Sequence, residues 1–242
     1  MKYFRSPQLF QLSTINNFEI IKADSIQHAK DLGADFIDLT YADYILAQEQ
    51  FSMSEIDVYS LGAADCLLKI DERFQFYQLS QKALLKYLAG LKLSLQTAEA
   101  VVIVGDQLTI SQFLPALTKL GYSKFIFVVE NKEAVIQFSE KIQKTFLGLS
   151  IQILQFKQIS LIETVSSFLL VDIDHKSQTE LVESLTYFNF LSTASLFFDV
   201  RSLRSNDLVQ EALRAQMSVV DSEMYGEIRF ELADQILTKK IK

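Results

Sequence analysis

The sequence predicts an α/β protein in which a domain built on a parallel β-sheet follows a smaller α/β domain. Short apolar runs alternate with helical patterns along almost all of the 242 residues, and repeated strand–helix–strand units of this length form parallel sheets with right-handed crossovers. The run at 100–104 is continuously apolar, as a strand buried on both faces of such a sheet should be. We find no internal repeat and no low-complexity linker.

The N-terminal part of the chain alternates apolar runs, helical patterns and helix-ending glycines. We predict strands at 18–23 and 35–40, helices at 25–32, 44–61 and 81–91, and a hairpin of two strands at 64–70 and 74–79. These elements form a first domain over residues 1–92.

The second part of the chain is more regular and predicts a Rossmann-like domain over residues 93–215. We predict strands at 100–104, 124–129, 151–156, 168–173 and 196–200, and helices at 110–120, 133–146, 161–165, 178–191 and 207–215. Because Pro115 lies within about two turns of a helix start, we expect that helix to begin late or to be distorted. Residues 216–242, with a short run at 218–221 and an amphipathic helix at 224–237, are expected to pack back on the N-terminal domain.

Composition excludes several classes of function. The net charge of −7 provides no basic excess to neutralise phosphates, so we expect no nucleic-acid binding. A single cysteine, Cys66, cannot form an internal disulfide, and with only two histidines it cannot complete a typical zinc site. No apolar run approaches the ~20 residues of a membrane-spanning helix, and the N-terminus has no signal-peptide-like run. We therefore expect a cytoplasmic protein without metal or membrane.

The turn after the first strand of the Rossmann-like domain is where a dinucleotide-binding protein carries its glycines. Here the turn reads Gly105-Asp106-Gln107-Leu108, so one glycine is left. Gln107 and Leu108 put side chains where a phosphate needs bare backbone, and Asp106 adds a like charge. Glu130 could hold a ribose hydroxyl, although a solvated strand end is the favoured interpretation. We expect no cofactor at this degenerate loop.

A second group of polar residues follows predicted strands at the edge where open α/β sheets bind ligands. Asp172, Asp174 and His175 could form a new polar site there, with ordinary solvation of a loop as the alternative. Arg201 and Arg204 follow the last parallel strand and could bind an anion, although surface loops often carry arginines.

Short motifs match, in order and spacing, those of one enzyme family. Residues 38–44 (Asp-Leu-Thr-Tyr-Ala-Asp-Tyr) can be laid on Asn-Val-Thr-Ile-Pro-His-Lys, and 61–67 (Leu-Gly-Ala-Ala-Asp-Cys-Leu) resemble Ile-Gly-Ala-Val-Asn-Thr-Leu. Residues 76–81 (Phe-Tyr-Gln-Leu-Ser-Gln) fall on Gly-Tyr-Asn-Thr-Asp-Gly, and 220–224 (Val-Asp-Ser-Glu-Met) resemble Val-Asp-Gly-Leu-x-Met. In these motifs the chain resembles shikimate dehydrogenase over nearly its whole length. Residues 5–8 (Arg-Ser-Pro-Gln) resemble the end of the family's Ser-x-Ser-Pro element, so we expect a truncated substrate-domain-like region that lacks the first strand.

The resemblance implies that the catalytic residues of the family are replaced. The family uses a lysine and an aspartate for proton transfer and hydroxyl binding, and Tyr44 and Ser80 stand at their positions. Its substrate-contacting Asn and Thr become Asp65 and Cys66, and the glutamine of its last helix becomes Ile228. Tyr44 could be a replacement base, but no lysine lies four residues on to lower its pKa, so a packing role is favoured. Oxidation of an alcohol needs both a base and a bound nicotinamide.

The leading hypothesis is a pseudoenzyme of the shikimate dehydrogenase type that binds an unidentified protein partner or small ligand. A protein partner would add a strand to the sheet edge left by the missing first strand. A small ligand would occupy a cleft between the domains, whose candidate residues are Thr40, Tyr44, Asp65, Ser80, Asp174 and His175. A homodimer is also compatible with the sequence. The alternative is an active oxidoreductase with altered substrate and cofactor.

Overall fold

The chain folds into two compact units, each with its own sheet. The structure, a computed structural model, describes residues 1–5, 19–21, 23–53, 61, 63–91, 94–201 and 206–239. The first unit comprises Met1–Leu91, Ser111–Ala116 and Glu223–Lys242, and the second comprises Lys92–Ile110 and Leu117–Ser222. Among the described residues, each unit contains a six-stranded sheet. The predicted α/β fold class is therefore confirmed.

The first unit is built on a mixed sheet with helices in its connections. Its strands are β1 (Lys2–Arg5), β2 (Glu19–Ile21), β3 (Phe36–Asp38), β4 (Ser52–Met53), β5 (Cys66–Ile70) and β6 (Arg73–Tyr77). They lie in the order β2-β1-β3-β5-β6-β4, with β3, β5 and β6 antiparallel and the other pairs parallel. The helices of this part of the chain are α1 (Ile26–Asp31), α2 (Tyr41–Ala47) and α3 (Leu79–Leu91).

The expectation that the first strand is missing is wrong. β1 lies inside the sheet, in parallel pairing with β2 on one side and β3 on the other, and its Tyr3 and Phe4 side chains are buried. The edge at which we expected a protein partner is thus covered by β2. The Ser-Pro motif at 6–7 lies outside the described residues.

The helix predicted at 44–61 is shorter and begins earlier than expected. Thr40 starts α2, because its Oγ1 accepts a hydrogen bond from the Asp43 N–H (3.1 Å) and Asp43 Oδ2 accepts one from the Thr40 N–H (3.0 Å). This reciprocal capping box fixes the first turn. Within the predicted helix, Ser52 and Met53 form β4, which pairs with β6, and residues 54–60 are outside the described part of the chain.

The predicted hairpin is confirmed as β5 and β6, and its two-residue turn carries an unusual sequence. Asp71 and Glu72 both adopt positive φ angles, 50° and 61°. Two-residue hairpin loops favour this left-handed geometry, which glycine and asparagine adopt most easily. The register, from Ile70 opposite Arg73 to Cys66 opposite Tyr77, is nonetheless regular.

The second unit contains the predicted parallel sheet. Its strands are β7 (Ala100–Val104), β8 (Lys124–Val129), β9 (Ser150–Gln155), β10 (Ser166–Val171), β11 (Leu191–Asp199) and β12 (Ser218–Val219). Between them lie α4 (Gln107–Lys119), α5 (Lys132–Thr145), a 3₁₀ helix (Phe156–Leu161), α6 (Thr179–Leu185) and α7 (Asp207–Arg214), and α8 (Ser222–Lys239) follows β12. Every pairing is parallel, in the order β12-β11-β10-β7-β8-β9. In chain order this is 3-2-1-4-5-6, the order of dinucleotide-binding Rossmann sheets.

The predicted burial of the run at 100–104 is confirmed, since all five residues of β7 are fully buried. Several boundaries differ from the prediction, most of all in the two helices on either side of β10. The helix expected to run to 191 ends at Leu185, and β11 begins at Leu191. The short helix expected at 161–165 is instead the 3₁₀ helix that ends at Leu161.

The expectation that Pro115 delays or distorts its helix is also wrong, because α4 begins at Gln107 and continues through Pro115 to Lys119. Proline has no N–H to donate to the carbonyl four residues earlier, here that of Ser111. Gln78 supplies the missing donor, since its Nε2 lies 2.7 Å from the Ser111 carbonyl oxygen within the first unit. The backbone acceptor that proline releases is therefore satisfied by a side chain.

Each unit has an apolar core. In the first unit, Tyr3 and Phe36 pack with Phe230 of α8 at ring-centroid distances of 4.8 and 5.4 Å. Ala233 and Leu237, one and two turns further along α8, join the same core. In the second unit, buried side chains of β7, β8, β10 and β11 pack against those of the surrounding helices. The cores fix the strand ends at which the polar residues lie.

Candidate functional site

The parallel sheet of the second unit has a switch point between β7 and β10, where the strand order reverses. In open α/β sheets, ligands bind at the carboxyl ends of the strands on either side of such a point. Here the chain leaves β7 through Gly105 and Asp106 into α4, and leaves β10 through Asp172. The side chains around these three residues decide what this point can bind.

Gly105 makes room for a side chain of the same loop. A Cβ atom at position 105 would lie 2.7 to 2.9 Å from three atoms of the Thr109 side chain, closer than real Cβ contacts. Thr109 is buried in the first turn of α4, with its Oγ1 2.7 Å from Asp172 Oδ2 and 3.1 Å from Asp106 Oδ1. Thus the glycine is explained by the packing of Thr109, and the space beside it is filled.

Charged residues extend this contact across the switch point. Asp106 Oδ1 accepts a hydrogen bond from the Thr109 N–H (2.9 Å), and Arg201 Nε donates to Asp172 Oδ1 (2.5 Å). Crowding by neighbouring atoms and the charge of Asp172 raise the pKa of Asp106, although water screens this effect because the residue is exposed. Burial alone would lower the pKa of Arg201, but the neighbouring Asp172 raises it above its ordinary value.

This arrangement does not fit the pyrophosphate of a nicotinamide dinucleotide. A phosphate needs bare backbone N–H groups at the helix start, and here one of them, that of Thr109, already donates to Asp106. Among the described residues, two carboxylates against one guanidinium leave a net negative charge, which repels a phosphate. Arg204, the other arginine that we predicted could bind an anion, lies outside the described residues. The other residues that we considered for nucleotide binding take no part in the contact between Thr109, Asp106 and Asp172. Leu108 is buried, Gln107 is half-buried, and Glu130 is exposed at the end of β8.

His175 belongs to a second polar contact at the same edge of the sheet. Its Nε2 lies 3.0 Å from Oδ2 of Asp199, a fully buried carboxylate at the end of β11. Asn206 Nδ2 donates to the same oxygen (2.8 Å) and lies 3.4 Å from His175 Nδ1, while Asn206 Oδ1 caps α7 by accepting from the Val209 N–H. Hydrogen bonding by Asp199 raises the pKa of His175. Both ring nitrogens therefore face protein groups, and Asp174 stays exposed in the same loop.

In the first unit, the residues at the family's proton-handling positions have structural contacts. Tyr44 is 1% exposed and packs against Phe76 with ring centroids 5.3 Å apart. Ser80 lies in the first turn of α3, where its N–H donates to Asp65 Oδ2 (2.6 Å) and its carbonyl accepts from the Tyr225 hydroxyl (3.3 Å). Tyr44 has the packing role that we favoured from the sequence.

Asp65 is part of a buried ionic cluster that sequence reasoning missed. We define the Arg229 cluster as Asp38, Asp65, Arg229 and Tyr3. Arg229 of α8 pairs with the Asp38 carboxylate and lies 3.7 Å from Asp65 Oδ2, and the Tyr3 hydroxyl donates to Asp38. Both aspartates are at most 2% exposed, and the Arg229 side chain is 11% exposed. Asp65 also accepts from the Leu79 N–H (2.9 Å), so it caps α3.

A sequence signal for the Arg229 cluster exists in the motifs. The resembling motifs carry asparagine at three positions, and two of these are carboxylates here, Asp38 and Asp65, while the third is Gln78. Two carboxylates in place of two amides need a cation, and Arg229 follows directly after Ile228, the position of the family's glutamine. Cys66, next to Asp65, is fully buried, and burial followed by the charge of Asp65 raises its thiol pKa. Such a thiol is protonated and unreactive at neutral pH.

The predicted ligand residues fall in separate units. In the first unit, Thr40 caps α2 and Tyr44 lies on that helix. Asp65 and Ser80, also in the first unit, meet at the start of α3. Asp174 and His175 share a loop of the second unit. Among the described residues, no three His, Cys, Asp or Glu side chains are grouped to hold a metal ion. In the same part of the chain, no helix is long and apolar enough to cross a membrane.

Strand order and switch point define a Rossmann-type α/β protein with an additional α/β unit. No protein-family model matches the chain, and no curated protein matches it. Solved structures do match the chain in fold. Shikimate dehydrogenase from Mycobacterium tuberculosis superposes with a TM-score of 0.71 at 11% identity, over 98% of this chain and 93% of that one.

Two further structures extend the comparison. Shikimate 5-dehydrogenase from Listeria monocytogenes, solved with shikimate and NAD, has a TM-score of 0.70 at 9% identity and covers 99% of this chain and 91% of its own. The dehydroquinate dehydratase and shikimate dehydrogenase of S. pombe has a TM-score of 0.60 at 11% identity, and this chain spans half of its length. The protein therefore has the shikimate dehydrogenase fold, as its motifs predicted.

Proposed function

We propose that this chain is a pseudoenzyme with the shikimate dehydrogenase fold, which binds a protein partner or small ligand and does not transfer hydride. The observation that carries the proposal is the contact of Thr109 with Gly105 and Asp172 at the switch point, which Arg201 extends. Hydride transfer requires a bound nicotinamide, and this filled, acidic switch point opposes its phosphates.

The first unit supports the proposal independently. A general base contributes about 10²–10⁴ to a rate, and it must reach the proton that it removes. Tyr44 is buried against Phe76, and the Ser80 backbone is tied to Asp65, so neither position offers an exposed base. In the same unit, Arg229 neutralises the carboxylates at two positions where the motifs carry amides. Loss of both the base and the cofactor contacts leaves binding as the remaining role.

Calorimetric titration with NADP, NAD and shikimate tests this proposal. We expect no heat of binding to this protein at ligand concentrations where the Listeria enzyme, solved with shikimate and NAD, gives a full isotherm. Micromolar binding of a nicotinamide nucleotide, or its reduction in the presence of shikimate, would overturn the proposal. Circular dichroism of the titrated sample verifies that a silent titration comes from folded protein.

One observation favours the alternative of an active oxidoreductase with altered substrate and cofactor. The full Rossmann strand order is present, and Gly105 stands directly after β7, where the first glycine of a nucleotide loop belongs. Titration with NADP and NAD distinguishes the two functions. Screening secondary alcohols for nucleotide reduction then defines the altered substrate if binding is found.

A further inference from the structure

We propose that protonation of His175 changes how the loop at 172–178 is held, from a connection to both β11 and α7 to a connection to β11 alone. The loop leaves β10 at the switch point, and His175 contacts Asp199 at the end of β11 and Asn206, which caps α7. A histidine whose two ring nitrogens face groups of different chemistry can exchange contacts when it is protonated. This inference does not rest on the proposed function, because it holds whether or not the switch point binds a nucleotide.

Contacts at both ends of its amide fix the orientation of Asn206. Its Oδ1 accepts a hydrogen bond from the Val209 N–H (2.8 Å), and its Nδ2 donates to Asp199 Oδ2 (2.8 Å). If the amide turned over, its NH₂ group would face the Val209 N–H and its oxygen would face a buried carboxylate, so both contacts would become repulsive. Asn206 therefore presents an N–H group, and no acceptor, to His175 Nδ1 at 3.4 Å.

The neutral ring of His175 fits these surroundings in one tautomer. Its Nε2 lies 3.0 Å from Asp199 Oδ2, and a carboxylate oxygen favours a proton on the nitrogen that faces it. Nδ1 is then a bare acceptor for the N–H of Asn206. In this state the ring connects the loop at 172–178 both to the end of β11 and to the start of α7.

Protonation of Nδ1 breaks one of these contacts and strengthens the other. The new N–H of His175 faces the N–H of Asn206, and two donors cannot share a hydrogen bond. At the same time, the imidazolium is attracted to the Asp199 carboxylate.

The pH at which the contacts change follows from the charged groups around the ring. Among the described residues these are Asp199 of β11, Asp174 of the same loop and Arg201 after β11, while α7 contributes the uncharged Asn206. Hydrogen bonding to Asp199 raises the pKa of His175 above 6.5, with burial and Arg201 opposing the rise. The contact with α7 is therefore lost as the pH falls through a value above 6.5.

Long-range ¹H–¹⁵N NMR of the full chain between about pH 5 and pH 9 tests the proposal. The chain has two histidines, so His175→Gln identifies the ring signals of His175. Above its pKa, we expect His175 to be entirely the Nε2–H tautomer, and we expect the side-chain amide of Asn206 to shift with the same midpoint as the ring. The Nδ1–H tautomer, a mixture of tautomers, or an Asn206 amide that does not follow the ring would overturn the proposal.

Asn206→Ser separates the contact with His175 from the capping of α7. Serine can accept from the Val209 N–H as asparagine does, but its side chain ends short of the position that Nδ2 occupies. Because the neutral ring then loses its donor, His175 should bind its proton about fivefold more tightly or better. Asn131→Ser, the same substitution at the exposed cap of α5, is the matched control and should leave the titration of His175 unchanged. Unchanged or weaker proton binding in Asn206→Ser, or an equal change in both variants, contradicts the proposal.

Discussion

Arg229 is the cation of the buried ionic cluster in the first unit. It balances two aspartates that are almost fully buried, and burial would lower its pKa, but Asp38 and Asp65 raise it well above the ordinary value. Replacing a buried ion pair by apolar groups can be neutral, but removing one partner leaves charge uncompensated in the interior. The cluster thus joins α8 to the ends of β3 and β5.

We expect Arg229→Met to lower the free energy of unfolding by about 3–5 kcal/mol, since it leaves the Asp38 and Asp65 carboxylates buried without their cation. Urea denaturation measures the change. Lys86→Met is the control, because Lys86 pairs with Glu231 of the same helix at 2.7 Å but both side chains are about half exposed. The control should cost less than about 1 kcal/mol. Equal effects in both variants would show that the buried charges are compensated in another way.

His175 should make stability depend on pH. Its pKa in the folded protein is raised above 6.5 by hydrogen bonding to Asp199, with Asp174 adding to the rise and burial and Arg201 opposing it. The charged pair therefore contributes its full stabilisation below pH 6.5, and the contribution is lost as the pH rises through the folded pKa. Consequently His175→Gln should cost more stability at about pH 5.5 than at about pH 9.

Chemical denaturation of both proteins at the two pH values measures this difference. Asp199→Asn is the companion variant, because it removes the buried charge that holds the proton on His175. In that background, His175→Gln should cost nearly the same at both pH values. A cost that is independent of pH in the wild-type background would contradict the pairing of His175 with Asp199.

At the scale of elements, α4 illustrates how a distant residue permits a local irregularity. A proline inside a helix costs about 3 kcal/mol or more of stability, yet α4 continues through Pro115. The Gln78 side chain donates to the Ser111 carbonyl, to which residue 115 would donate if it were not proline. Gln78 lies 33 residues before Ser111. A sequence pattern could indicate the proline but not its compensation, because the partner is remote along the chain.

A double-mutant cycle tests this compensation. Gln78→Leu should destabilise the wild-type protein, since the buried Ser111 carbonyl loses that donor. In a Pro115→Ala background, the restored N–H of residue 115 can donate to the same carbonyl, so Gln78→Leu should cost about 1 kcal/mol less. Thermal or urea denaturation of the four proteins gives the coupling. If the effects of the two substitutions are additive, Gln78 does not compensate for the N–H that Pro115 lacks.

The sequence predicted the regular elements better than their ends. The strand at 100–104 was exact, because an uninterrupted apolar run is distinct from a helical pattern. Several helix starts were placed two or three residues late, as at α3, where Asp65, which directly precedes β5, accepts from the N–H groups of Leu79 and Ser80. β1 was missed because the motif at 5–8 led us to expect no first strand, and β4 was missed because its two residues lie within the helix predicted at 44–61.

At the scale of the whole molecule, the fold and the chemistry are specified by different residues. Structures with 9–13% identity share this fold, since apolar spacing and helix–strand alternation suffice to define it. The polar residues at the strand ends follow no such rule. Sequence reasoning located Asp106, Asp172 and His175 at the correct edge, but their partners Thr109 and Asp199 depend on tertiary packing and were missed.

The packing of Thr109 against Gly105 also constrains how this loop could change over time. Substitutions that build a nucleotide-binding loop here must first replace Thr109 by a smaller residue. Thr109 fills the volume beside Gly105, and its hydroxyl contacts both Asp106 and Asp172. Additional glycines introduced before that step would gain nothing. Gly105 is thus required here by the methyl and hydroxyl groups of Thr109, which leave no space for a Cβ atom at position 105.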